Sequence, residues 1–291
     1  MQADNAPMEI KTLVGVGIKE ITNVFNDSFS DYFIPFELTE AQLSSKMRID
    51  KTNLNLSVGA FENGKLIAFI LHGLDTIHMQ KVIYNGGTGV IPDKRGLGLT
   101  KKMYLFILPL LAKKRINKLV LEVIAENIQA LKSYDTAGFK IKRTLWCYKG
   151  EVNITKTTST IKIMALQHYN WELMESFWDI YPTWQNSKSV VNELKHKNIS
   201  LGAYFQNQLV GYVIYNPTNK RIQQIAVHMD FRKKRIASSL LFQLKESYGP
   251  AFSIINVDKK SKVTHAFFHK VGLETTLEQL EMELELDKKY N

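Results

Sequence analysis

Two stretches of this chain are degenerate copies of each other, and that relation limits the possible folds more than any other feature. "SVGAFENGKLIAFIL" starts at Ser57 and "SLGAYFQNQLVGYVI" at Ser200, an offset of 143 (200 − 57). Gly59 meets Gly202, Ala60 meets Ala203, Phe61 meets Tyr204, Leu66 meets Leu209 and Phe69 meets Tyr212. Each copy is an apolar run, a polar turn and a second apolar run, the pattern of a β-hairpin. The match continues in order downstream. Val90-Ile91-Pro92 meets Val227-His228-Met229, and Arg95 meets Arg232, both at 137 (232 − 95). Gly138 meets Gly272 at 134 (272 − 138). Offsets that shrink slowly fit duplication followed by loop trimming, and so long a period excludes a solenoid.

Each copy reads as a helix-rich start, a hairpin, then strand, helix, strand, helix and strand. Leu99 to Lys113 and Ile236 to Ser247 are helix-like, and "KLVLEVI" and "FSIINV" are β-rich. Gly138 and Gly272 stand where a helix end favours a positive φ. "FKIKRTLWCYKG" and "LEQLEMELEL" alternate like strands with one buried face. The connector at 150–160 is rich in Thr and Ser with no apolar period. The expected fold is therefore mixed α/β, with domains at 8–150 and 160–291. At 291 residues the chain has room for two such cores.

Composition removes several function classes. One cysteine, Cys147, excludes an internal disulfide and a cysteine-based metal site, and suits a reducing, cytoplasmic setting. Seven histidines without paired ligand spacing predict no metal. "MQADNAPMEIK" lacks the apolar core of a signal peptide, and "MYLFILPLLA" is too short to span a bilayer, so no membrane association is expected. A formal charge of +10 favours anionic partners. No helix-turn-helix, zinc-finger or RNA-recognition signature accompanies it, so no nucleic-acid partner is expected.

The chemistry concentrates in "GVIPDKRGLGLTKKMYLFIL", from Gly89 to Leu108. A strand-like run passes through Pro92 and a basic, glycine-bearing turn into a helix. Small residues leave N–H groups bare at the helix start, where donors and dipole favour an anion. A dinucleotide fingerprint fails, because its third glycine would fall at Lys101. A Walker loop fails for lack of a Gly-Lys-Ser/Thr triplet.

Arg95-x-x-Gly98-x-Thr100 resembles the acetyl-CoA pyrophosphate motif Arg-x-x-Gly-x-Gly/Ala of the GNAT acetyltransferase superfamily, with Thr in the last place. "ENIQALKSYDTAGF" resembles a second motif of that family through Asn127, Ala130, Tyr134, Gly138 and Phe139. With both halves on one plan, the chain is similar to a tandem GNAT protein. The resemblance implies two domains, each a mixed, mostly antiparallel sheet with a splayed strand pair flanked by helices. It implies acetyl-CoA as cosubstrate, held by Val90, Ile91, Arg95, Gly96, Leu97, Gly98, Leu99, Thr100, Asn127 and Tyr134. The N–H at Val90 would polarise the thioester carbonyl, and Tyr134 would protonate the leaving thiolate. The acceptor would be a primary amine of a small molecule or peptide, attacking directly. Tyr32, Phe33, Phe36 and Glu122 are its candidate contacts, and the chain would act as a monomer or homodimer. Glu122, Glu126, His72 and His78 are candidate general bases, and a bound water is the alternative. In the second half, Arg235 replaces Gly98, Ser261 replaces Asn127 and Phe268 replaces Tyr134. One active site, in the first half, is expected, with the second half as structural partner or substrate wall. The alternative reading is a non-catalytic CoA-binding regulatory protein, against which Asn127 and Tyr134 stand.

Overall fold

The computed structural model describes residues 8–31, 37–155 and 161–286. The first copy runs β1 (Met8–Thr12), α1 (Ile18–Phe29), α2 (Glu40–Ile49), β2 (Val58–Glu62), β3 (Lys65–Ile77), β4 (Gln80–Val90), α3 (Leu99–Lys113), β5 (Lys118–Ile124), α4 (Ile128–Ala137) and β6 (Lys140–Glu151). The second runs β7 (Lys162–Ala165), α5 (Trp171–Glu175), α6 (Lys188–Glu193), β8 (Ile199–Phe205), β9 (Gln208–Asn216), β10 (Arg221–Val227), α7 (Ile236–Tyr248), β11 (Ala251–Asp258), α8 (Lys262–Lys270) and β12 (Leu273–Glu285). The two element orders are the same. The hairpins, cradle helices and closing strands lie where the repeat places them, and the short strands β1 and β7 were not legible in it.

By contacts the chain divides into two compact units. Unit 1 is residues 1–142 with 281–291, and unit 2 is residues 143–280. One boundary falls inside β6 and the other inside β12, so residues 143–151 of the first copy's closing strand serve unit 2 and residues 281–285 of the second copy's serve unit 1. In unit 2, β6 pairs antiparallel with β11 from Leu145–Asp258 to Glu151–Ala251. In unit 1, Leu286 N–H donates to Asn117 O at 2.9 Å, and Lys118 pairs with Glu283 at 3.0 Å. The strand order is β1-β2-β3-β4-β5 and then the end of β12 in unit 1, and β6-β11-β10-β9-β8-β7 in unit 2.

Both units carry the same two irregularities. Each has one parallel pair that opens. β4 and β5 pair from Val82–Lys118 to Tyr84–Val120 and then part, although both strands continue. β10 and β11 pair only at Arg221–Ser253. Each also has a bulge. Gly86 is the extra residue between Leu71–Gly87 and His72–Asn85, and Gln223 is extra between Ile222–Tyr215 and Gln224–Ile214. A bulge bends a strand and re-aims its groups, which turns β4 and β10 away from their parallel partners.

Helices cover the sheets through their apolar stripes. α1 buries Ile21, Val24, Phe25 and Ser28, a 3–4 spacing that places them on one face. That face meets Leu43, Phe61, Leu66 and Phe69, and each large side chain buried there contributes roughly 1.5–3 kcal/mol. α2 starts at a capping box between Thr39 and Gln42. It presents Lys46, which pairs with Asp50 and donates to Gly86 O at 2.8 Å, pinning the bulge. Burial raises the Asp50 carboxyl, and the Lys46 charge opposes that rise. In unit 2, α7 buries Ile236, Leu240, Leu241 and Leu244 against Val213, Phe252 and Leu273.

His72, fully buried on β3, is an acid-sensitive element of unit 1. Its Nδ1 contacts Leu56 O at 2.7 Å, and Nε2 lacks a partner. Burial holds its pKa down to about 4, against the hydrogen bond to Leu56. The unfolded chain takes up this proton near pH 6.5 and the folded chain only near 4. Stability is therefore intact above pH 6.5 and falls as pH drops toward 4, by about 3 kcal/mol in all. Urea melts from pH 7 to 4 should show that loss, and a His72→Asn variant should lack this component. An unchanged slope in the variant contradicts the assignment.

Candidate functional site

The gap between β4 and β5 is the candidate site of unit 1. Ile91 N–H donates to Ile67 O on β3 at 3.1 Å. N–H directions alternate along a strand, so the Val90 and Thr88 N–H groups face away from β3, into the gap. The Val90 carbonyl lies on the same side and accepts from Arg95 Nε at 3.3 Å.

After Val90 the chain makes a 3-10 turn over Pro92–Lys94 and two left-handed steps, Gly96 at φ +78° and Gly98 at φ +69°. Gly98 is the N-cap of α3 and makes no side-chain cap bond. A Cβ built on Gly98 meets nothing within 4 Å, so the ground in front of the helix start is open. Leu99 is buried and anchors the first turn, Thr100 is half-buried, and Leu97 is exposed. The first turn contains no acidic residue, and Lys101 and Lys102 lie in it exposed. Cations at the positive end of a helix are unfavourable by a few tenths of a kcal/mol, a cost that a bound anion offsets.

The two cations that precede the glycines are already committed. Arg95 makes a two-pronged pair with Asp31, both contacts at 2.7 Å, and donates to Ser28 O at 3.1 Å. Asp31 is held below its ordinary range mainly by that hydrogen bond. Lys94 pairs with Glu62 at 2.6 Å. Arg95 thus ties the end of β4 to the end of α1, and the turn's donors are backbone groups. Unit 2 repeats the clamp. Arg232 donates to Val227 O at 3.1 Å and Phe177 O at 3.1 Å, and pairs with Asp179 at 2.6 Å. Asp31 and Asp179 stand 148 apart (179 − 31), which extends the shrinking series of offsets. That acid, at one place in both copies, was the signal available in the sequence for the clamp.

Asn127 is the N-cap of α4 and accepts from Ala130 N–H at 3.0 Å. Tyr134 follows two turns on, buried, with Gly138 closing the helix at φ +102°. Its ring lies edge-on to Phe139 at 5.8 Å and to Tyr104 of α3 at 6.5 Å. Tyr104 lies six residues after Gly98, about 9 Å along the helix. α3 therefore connects the bare turn to the phenol of Tyr134. Tyr104 was not singled out in the sequence. Its hydroxyl accepts from Asn85 Nδ2 at 2.9 Å, and burial, with Tyr134 nearby, raises its pKa well above the ordinary value. Glu122 is half-buried on β5, Glu126 is exposed before α4, and His78 occupies the β3–β4 turn. Tyr32, Phe33 and Phe36 lie outside the described residues.

Unit 2 holds an open cleft at the matching place. Between β10 and β11 lies a cavity of about 930 Å3, lined by Trp178, Gln223, Gln224, Arg235, Asn256 and Phe267 among others. Its turn keeps the left-handed shape without glycine, with Lys233 at φ +60° and Arg235 at φ +59°. Each such residue costs roughly 1–2 kcal/mol. Ser261 caps α8 with the same φ and ψ as Asn127 but makes no cap bond, and Phe268 packs edge-on to Tyr148 at 5.2 Å. Among the described residues, no group of three or more His, Cys, Asp or Glu could hold a metal ion, and no helix is long and apolar enough to cross a membrane.

A family model described as "Acetyltransferase (GNAT) family" matches residues 18–139 and 163–273. Solved structures of similar fold include a GCN5-related N-acetyltransferase from Sphaerobacter thermophilus (TM-score 0.70, 13% identity, covering 96% of each chain). A tandem GNAT protein from the clavulanic acid biosynthesis pathway has a TM-score of 0.70 at 11% identity, over 96% of this chain and 99% of that one. A putative acetyltransferase from Pyrococcus horikoshii has a TM-score of 0.68 at 14% identity, over 100% and 95%. No curated protein matches this chain by sequence.

Proposed function

This chain belongs to the GNAT acetyltransferase family, and on that premise we propose that unit 1 transfers an acetyl group from acetyl-CoA to the primary amine of a small molecule or peptide. The observation that carries this reading is one connected arrangement. A strand gap and a bare left-handed turn lead into α3, and α3 carries Tyr104 to the ring of Tyr134.

Each residue has a role in it. The backbone N–H groups from Gly96 to Thr100 hold the pyrophosphate, with Leu99 seating the helix and Leu97 at the rim. Arg95 positions the turn through Asp31, Ser28 and Val90 rather than as a free charge. Val90 and Ile91 run beside the pantetheine arm, and the Val90 N–H donates to the thioester carbonyl oxygen. Asn127 fixes the start of α4 and so the height of Tyr134. The acceptor nitrogen attacks the carbonyl carbon, and the carbon–sulfur bond breaks. The sulfur takes the Tyr134 proton, and the nitrogen's surplus proton leaves to water or to a base such as Glu122. Tyr32, Phe33 and Phe36 are proposed as the acceptor's apolar contacts, and the setting as cytoplasmic.

Free thiol released from acetyl-CoA in the presence of a panel of primary amines tests the reading. Thermal stabilisation by CoA with no thiol release from any amine would instead favour the regulatory alternative. A Gly98→Val substitution offers a second check. Valine at φ +69° costs roughly 1–2 kcal/mol and places its methyl groups in the open ground before α3. CoA affinity should fall by more than about tenfold. Retained affinity would place the pyrophosphate elsewhere.

A further inference from the structure

The cavity of unit 2 has a built floor and a charged mouth. On the floor, Trp178 Nε1 donates to the Tyr212 hydroxyl at 2.5 Å, and that hydroxyl donates to Gln224 Oε1 at 2.9 Å. Gln224 Nε2 donates to Asn186 O at 2.7 Å, and Asn186 Nδ2 to Ile255 O at 2.9 Å. The chain of bonds holds the indole and both amides in place. Two acceptors in the wall are left over. Gln223 Oε1, on the bulge, and Asn186 Oδ1 are buried without a hydrogen-bond partner, in residues only 7% and 5% exposed. Buried acceptors without donors are unfavourable, and a ligand's N–H or O–H can satisfy them after a small side-chain rotation.

The mouth has the opposite character. Arg232 is neutralised by Asp179. Lys233, Arg235 and Lys270 also line the cavity, and among the described residues no carboxylate pairs with any of them. Lys233 and Arg235 stand at the two places where unit 1 has glycine. Their side chains leave the backbone from the positions whose bareness a pyrophosphate needs, and they present cations that suit one compact anionic group.

We propose that this cavity is a second ligand site, selective for a small amphipathic anion other than CoA. A single carboxylate, sulfonate or phosphate monoester head pairs with Lys233 and Arg235. An apolar body lies between β10 and β11, and an N–H or O–H donor at its inner end meets Gln223 and Asn186. The volume suits such a molecule. The site rests on the proposed function only in excluding CoA, which unit 1 takes.

A suitable probe is 6-(p-toluidino)naphthalene-2-sulfonate, which has one anionic head, an aromatic body and one N–H at the end of the rings far from the head. It is titrated into the full chain with and without saturating CoA, followed by fluorescence and calorimetry. One equivalent should bind under both conditions. Lys233→Ala with Arg235→Ala should weaken it about tenfold or more. Gln223→Leu should weaken it several-fold, yet leave naphthalene-2-sulfonate, which lacks the N–H, unaffected. Circular dichroism checks that each variant folds, and the two changes report from opposite ends of the cavity. The proposal is overturned by the absence of saturable binding, by indifference to both variants, or by loss of the probe when CoA is added. Failure of acetyl transfer in unit 1 does not alter this readout, because both variants lie in unit 2.

Discussion

Replacing Tyr134 with Phe should lower turnover by about two to four orders of magnitude while leaving CoA affinity near its starting value. A positioned general acid contributes that much. The ring is held by packing against Tyr104 and Phe139, and Phe keeps those contacts. The second copy already accommodates Phe268 at the matching place, fully in its core. The loss should therefore appear in kcat, with an unchanged melting curve and an unchanged CoA titration. An unaltered kcat removes Tyr134 from the mechanism and leaves the thiolate to be protonated by solvent.

Cutting the chain between its copies should abolish folding of either half as a monomer. Residues 8–150 expressed alone lack Met282, Leu284 and Leu286, which are all buried in the full chain and belong to unit 1. At roughly 1.5–3 kcal/mol for each side chain, their loss approaches the whole stability of an ordinary domain. It also leaves β5 with an unpaired edge, a template for aggregation. Residues 160–291 lack β6, and with it the buried Leu145 and, from the unit 2 core, Tyr148. Co-expression of the two halves should restore a soluble complex, seen by size exclusion and circular dichroism. A monomeric, folded 8–150 fragment that binds CoA would show that the exchanged strand is dispensable.

The repeat made much of the architecture legible. Hairpins, cradle helices and closing strands are local, and their apolar periods and glycine caps appear in any window of the chain. The family was legible for the same reason, because Arg95 to Thr100 and Asn127 to Phe139 are short, contiguous motifs. Less visible were contacts that join residues far apart. The role of Arg95 changed from a charge beside a phosphate to a clamp, because its partner Asp31 lies 64 residues earlier. Tyr104 read as one more apolar position on a helix, and only its neighbours Asn85 and Tyr134 make it part of the site. The second cradle looked eroded, since Arg235 had replaced the cradle glycine. The backbone there is held in the left-handed region by the clamp and by the buried start of α7, so the frame outlasted the residues that usually favour it.

By itself the sequence determined the order of elements after the first short strand of each copy, the duplication, the family and which copy retains the phenol and the bare turn, since each is written in local pattern and spacing. Only the tertiary structure decided which unit each closing strand completes. β6 and β12 have the same alternation and can present the same apolar face to either sheet. Strand pairing depends on where the edges meet in space, and period-two hydrophobicity carries no address.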